Sequence, residues 1–188
     1  MTDDRFQTYQ ADMRSAYING APGVLTSGVV WLLATVVSAT LSQAASIGTL
    51  LVGGTLIFPV SVLICRLFGA TGKHRSGNPL GRLAIEGTLW LMAGIFIAWA
   101  TTFTGNRLFF PVMLLVIGSR YLTFQTIYGL PHYWIAGAAL CIAGFLCAIF
   151  NAPAHIAAGS GSLIEMVLGV PLWYLAHRES NQEREASL

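Results

Sequence analysis

The sequence predicts an all-α, polytopic membrane protein of six transmembrane helices. Three observations carry that prediction. Only 10 Lys or Arg and 8 Asp or Glu occur in 188 residues, while a soluble domain is about a quarter charged. Hydrophobic residues make up 55%, with a mean hydropathy of +0.66. Six apolar runs follow one another, and one helical span needs about 20 residues. This composition excludes a soluble globular domain, a disordered chain and a secreted disulfide scaffold. A net charge of +2 gives no reason to expect nucleic acid as a partner.

Residues 1–19 read as an amphipathic N-terminal segment. Phe6, Tyr9, Met13 and Tyr17 recur at helical spacing, and Thr2-Asp3-Asp4 suits a helix start. The segment is expected at the membrane surface or as an extension of span one. It lacks the basic lead of a cleavable signal, so the first span is expected to be retained.

The spans are predicted at 21–41, 47–68, 79 or 83 to 103, 108–128 and 131–150, with a sixth ending near 176. The sixth begins either at Pro153 or after the flexible Gly159-Ser160-Gly161-Ser162. Asn78-Pro79 reads as an N-cap followed by proline at the first helical position. Gly129, then Pro131, stops one helix and starts the next. The organisation is thus 1–19, a bundle over 20–177 and a polar tail over 178–188.

Basic residues set the expected orientation. With the N-terminus inside, Arg5, Arg14, Arg66, Lys73, Arg75, Arg82, Arg120, Arg178 and Arg184 fall on the inner side, and Arg107 alone on the outer. Both termini are therefore expected to be cytoplasmic. The six tyrosines (Tyr9, Tyr17, Tyr121, Tyr128, Tyr133, Tyr174) also fall toward the inner side, as an interfacial aromatic belt would.

An internal repeat is legible. Pro59, Pro111 and Pro171 read as mid-span prolines in the even-numbered spans and as candidate kinks, each followed by Arg66, Arg120 or Arg178. The odd spans carry paired glycines: Gly23 and Gly28, Gly87 and Gly94, Gly137 and Gly144. Three pseudo-repeated helical hairpins are expected.

A charge at the centre of a span costs about 2.5–3.5 kcal/mol, so three residues form a candidate intramembrane polar site. Glu86 and Arg120 fall at roughly 25 and 20 Å from the shared outer turn, so the arginine could reach the carboxylate. Glu165 sits in an apolar stretch with no basic residue nearby in sequence. It is near mid-membrane if span six starts at Pro153, and near the outer surface if it starts after Ser162. A mid-membrane acid suits a proton-coupled site. The alternative is a neutral acid hydrogen-bonded to neighbouring hydroxyls or glycine carbonyls.

The longest inner loop carries Lys73, His74, Arg75 and Arg82, and anionic lipid headgroups are its expected partner near Lys73, Arg75 and Arg82. It has neither the motif nor the strand of a phosphate-binding loop. Cys65, Cys141 and Cys147 lie in apolar runs and read as small buried hydrophobes. The four histidines make no metal-ligand spacing. No catalytic motif appears, so no enzyme activity, metal or cofactor is expected.

The stretches LIFPVSVLICRLFG, NPLGRL and LFFPVMLLVIGSRYLTFQTIYG resemble a family of small bacterial multi-pass membrane proteins catalogued only as a domain of unknown function. In that family a proline-containing span leads to an Asn-Pro-Leu-Gly segment, and a later span ends in a glycine-polar-aromatic cluster. The resemblance covers roughly residues 55–130. Where relatives carry a histidine after that glycine, this chain has Ser119 and Arg120. It implies a bacterial plasma-membrane protein and supplies no activity. Two functions stay open at this level. One is a non-enzymatic accessory, sensor or stress-related membrane protein. The other is a small proton-coupled carrier or channel using Glu165 with Glu86 and Arg120. Either could work as a homo-oligomer.

Overall fold

The computed structural model describes residues 2–186. Seven α-helices form: α1 (Thr2–Tyr17), α2 (Ala21–Thr40), α3 (Gln43–Leu67), α4 (Pro79–Ala100), α5 (Phe109–Tyr128), α6 (His132–Ile149) and α7 (Ala154–Ala186). Six helical segments are long and apolar enough to cross a membrane. No strand occurs among the described residues.

Helix ends follow the local chemistry. Ser42 caps α3 by accepting from the Ala45 N–H, and Asn78 caps α4 by accepting from the Leu80 N–H. Gly129, at φ +70°, closes α5 with its N–H on the Gln125 carbonyl. α7 starts at Ala154 and runs unbroken through the Gly-Ser segment. In an apolar setting a helix is the one way for that backbone to satisfy its own polar groups. The same helix continues past residue 177, so the polar tail does not begin at a structural break.

Of the three candidate kink prolines, Pro59 of α3 and Pro171 of α7 sit in helix interiors. Pro111 does not. It is the third residue of α5, in the first turn, where a missing N–H breaks no intrahelical bond and forces no kink. The expectation of a mid-span kink there is corrected on that ground. The proline register of the three hairpins differs accordingly.

Packing runs α3–α2–α7–α6–α5–α4, an arc in which α3 and α4 scarcely touch. The closest pairs are α2 with α7, α5 with α6, and α2 with α3. Glycine makes some of this possible. A Cβ on Gly118 would lie 2.7 Å from the Gly137 carbonyl oxygen, and one on Gly137 would lie 2.8 Å from that of Gly118. Gly94 and Gly144 likewise face α5 at distances no side chain permits. Gly87 faces open space.

α1 is spent on protein rather than on lipid. Met13 is buried, and Tyr9 and Tyr17 pack against the core. Gln10 donates to the Thr126 carbonyl and Arg14 to the Tyr128 carbonyl, both at 2.8 Å. Asp12 Oδ2 accepts from the Asn78 side chain at 2.7 Å and from the Arg75 N–H at 3.1 Å. The Gly72 N–H reaches the Ala16 carbonyl, and the Tyr17 hydroxyl meets His74 Nδ1 at 2.9 Å. The helix therefore ties the loop between α3 and α4 to the end of α5.

The link from α1 to α2 is a left-handed turn. Ile18, Asn19 and Gly20 have φ of 52°, 55° and 78°. A left-handed conformation costs about 1–2 kcal/mol for each of the two non-glycine residues. Tyr133 holds the turn by donating to the Asn19 carbonyl at 2.8 Å.

Candidate functional site

The polar centre of the bundle is Glu165. It lies 11 residues into α7, roughly 16–17 Å along the axis, which places it in the middle of the membrane-spanning part. The structure thus selects the earlier start of span six and the deep position for this acid. Glu165 is fully buried. Its Oε1 accepts a hydrogen bond from the Tyr121 hydroxyl at 2.7 Å. Among the described residues its Oε2 has no hydrogen-bond partner. Ser27 of α2, also buried, is within electrostatic reach of the carboxyl. An ionised carboxyl only accepts, whereas a protonated one also donates through one oxygen. A change of protonation here would rearrange these bonds.

Local packing explains why the acid is sealed. One turn toward the far end of the bundle from α1, Gly161 of α7 admits Trp31 and Leu114 to within about 3 Å of where a side chain would start. Trp31 packs on Phe110, and Trp31, Phe110 and Leu114 are fully buried. Beside them the Ser162 hydroxyl donates to the Gly28 carbonyl at 2.9 Å. On that side the carboxyl faces apolar side chains and a satisfied serine.

Toward the α1 end the surroundings differ. Tyr121 lies edge-on to Tyr133, at 5.8 Å between ring centroids, and Tyr133 stacks on Tyr128 at 5.4 Å. Phe124 touches all three rings. Tyr121, Tyr128 and Tyr133 are 4%, 8% and 0% exposed, so they cannot form an interfacial belt. They are an interior ladder of phenols between Glu165 and the end that α1 covers. The belt expectation fails for them because positional bias toward one side does not reveal which helix face a residue occupies. Tyr174 is exposed.

Glu86 and Arg120 do not join this centre, nor do they pair. Arg120 bonds the Gly87 carbonyl at 3.4 Å and the Thr88 hydroxyl at 3.2 Å, and its guanidinium lies 5.2 Å from the Phe124 ring centroid. Glu86 is exposed on the outer face of α4. Among the described residues the only ion pair is Arg75 with Asp12, at 3.7 Å. Depth along adjacent helices brought Glu86 and Arg120 level, but rotation about α4 turns the carboxylate outward. The guanidinium settles on polar atoms one and two residues further along α4.

Residues 6–175 match DUF7010, described as a family of unknown function. The chain belongs to that family. No curated protein and no solved structure matches it. The DUF7010 match reaches beyond the stretch that carries the sequence resemblance, and takes in most of α1 as well as Tyr121, Tyr133 and Glu165.

Within this DUF7010 chain, Tyr121, Tyr133, Ser27 and Asn19 are the members of the polar centre that sequence reasoning missed. Asn19 is buried, and among the described residues neither of its side-chain polar atoms has a hydrogen-bond partner. Its place just before the glycine that opens span one was a signal of a left-handed turn. Cys65, Cys141 and Cys147 are free thiols. Among the described residues no three His, Cys, Asp or Glu side chains are grouped to hold a metal.

Proposed function

We propose that this is a non-enzymatic membrane protein of sensor or accessory type, in which Glu165 is an interior switch. The observation that carries the reading is the asymmetry around its carboxyl. Apolar side chains close one side, and phenols run from the other side to the end where α1 is docked. A transport path needs polar access from both faces, whereas a switch needs it from one. The basic-residue split supports a cytoplasmic α1 end, in a bacterial plasma membrane, with Lys73, Arg75 and Arg82 against anionic headgroups. All three side chains are exposed.

The switch would act on α1. Tyr133 connects the ladder to Asn19, the residue from which α1 turns into α2. Rearrangement at Tyr121 would therefore reach the hinge through Tyr133. Hydrogen–deuterium exchange tests this in lipid nanodiscs, with wild type compared to Glu165→Gln, which removes the titration and keeps an acceptor. Altered protection over residues 5–17 and 68–78 is expected. Identical protection in both, from pH 5 to pH 8, contradicts the switch.

The second reading is a small proton-coupled carrier using Glu165, with Glu86 and Arg120 near its path. The unpartnered Glu165 Oε2 favours it. The outward position of Glu86 and the apolar closure beside Trp31 weigh against it.

A further inference from the structure

α4 forms one end of the arc. Among the spans it packs closely only on α5, and with α3 it is the least buried of the six. The side of α4 turned away from the bundle is not uniformly apolar. Glu86 is exposed there, and so is Arg82 one turn earlier. At about 100° per residue, Arg82, Trp90, Ala93, Ile97 and Ala100 all fall within about 40° of Glu86. All five are exposed. Ile95, which lines the gap toward α3, falls on the opposite side of the helix.

Depth makes the acid unusual. Glu86 is the eighth residue of α4, roughly 10–11 Å from its start. The spanning segment Pro79–Phe103 is about 37 Å long against about 30 Å of hydrocarbon, so this carboxyl lies below the headgroups. Ionisable groups inside spans almost always face the bundle interior and pair with one another or with backbone carbonyls. Glu86 faces outward, and among the described residues it forms no ion pair.

We propose that this face is the interface of a parallel homodimer, in which Arg82 of each copy pairs with Glu86 of the other. The face is complementary to itself. Base and acid stand one turn apart, about 6 Å in height, which an arginine side chain spans. Copies inserted in one orientation are related by a two-fold axis along the membrane normal, which sets α4 beside α4 at equal depth. A two-fold contact is reciprocal, so both acids and both bases find partners. In the dimer Arg82 turns from the headgroups to the carboxylate, which its planar donors fit. An unrelated partner must bring a cation of its own to this depth, whereas a second copy already carries one. Ala93 and Ala100 follow Glu86 at successive intervals of seven residues, the repeat of a left-handed helix pair, and their small side chains let the backbones approach. Trp90 and Ile97 flank them and would be covered.

The test uses the full chain in proteoliposomes, with Cys65, Cys141 and Cys147 replaced by alanine. Association is read by energy transfer between copies labelled at the C-terminus, as lipid is added. The contact is read by oxidative cross-linking of Ala93→Cys, with Phe145→Cys on the exposed face of α6 as the control. Energy transfer that persists on lipid dilution is expected, with a dimer band from Ala93→Cys alone. Arg82→Glu or Glu86→Arg places like charges together and is expected to weaken association by about tenfold or more. The double variant Arg82→Glu with Glu86→Arg is expected to restore it. Should a reversal fail to insert, Arg82→Gln leaves two facing acids and should weaken association, which adding Glu86→Gln partly restores. Transfer that falls to random mixing at high lipid overturns the dimer and leaves a carboxyl that meets lipid alone. Equal cross-linking from Ala93→Cys and Phe145→Cys overturns the assignment of this face. Association indifferent to the single reversals overturns the charge pairing. None of these outcomes bears on the switch, which is read on α1.

Discussion

Tyr121 of α5 donates its hydroxyl proton to Glu165 Oε1 of α7 at 2.7 Å, and both side chains are buried. α5 and α7 share few other contacts, so this bond is the main polar tie between them. Removing one partner of a buried hydrogen bond leaves the other unsatisfied, at a cost of about 1–3 kcal/mol. Tyr121→Phe is expected to destabilise the protein by that amount in mixed-micelle unfolding. Glu165→Gln keeps an oxygen for Tyr121 and is expected to cost less. The reverse order would mean that the phenol is not held by the carboxyl.

The Gly118–Gly137 contact sets the separation of α5 and α6. Gly118→Ala or Gly137→Ala places a methyl group against a backbone carbonyl, which cannot yield as a side-chain end can. Overpacking of this kind costs about 1–3 kcal/mol. Gly87→Ala meets nothing and is expected to change stability by less than about 0.5 kcal/mol. Thermal midpoints in one detergent check all three. Equal effects would refute the packing assignment.

Asp12 joins α1 to the loop that precedes α4 through Asn78 and the Arg75 N–H. The Arg75 ion pair adds little, because that side chain is 84% exposed. Asp12→Ala should release the loop, with faster proteolysis between residues 70 and 78. Arg75→Ala should leave cleavage nearly unchanged. Asn78→Ala should exceed both, since Asn78 also caps α4, a contribution of about 1 kcal/mol.

Glu86 and Arg120 are expected to be energetically independent. A double-mutant cycle with Glu86→Gln and Arg120→Met should give a coupling near zero. A buried pair would give roughly 0.5–3 kcal/mol. Arg120→Met alone should be mild, because the stem keeps its packing near Phe124 and only weak polar contacts are lost.

Six spans and most of their ends were legible in the sequence, because length, hydropathy and capping chemistry act locally. Glu165 stood out for the same reason, as a charge without a cation. Its partner did not. Tyr121 follows Arg120 directly, and nothing local says that one turns inward onto α7 while the other turns toward α4. Rotation about a helix axis is decided by neighbours, here by glycines that let α5 approach α6. Gly118 lay outside the paired-glycine pattern, and a side chain on Gly87, which lay inside it, would meet nothing within 4 Å. The prolines mislead in a related way. Pro111 shares its residue type with Pro59 and Pro171, but its distance from the helix start gives it a different consequence.

The central claim is that Glu165 is a one-sided switch in a closed interior rather than a station on a transport path. Proteoliposomes with an imposed pH gradient test it most directly, with proton and monovalent-ion flux followed for wild type and Glu165→Gln. The expected result is no flux above protein-free vesicles and no difference between the two proteins. A wild-type proton flux that Glu165→Gln abolishes would contradict the claim and establish the carrier reading.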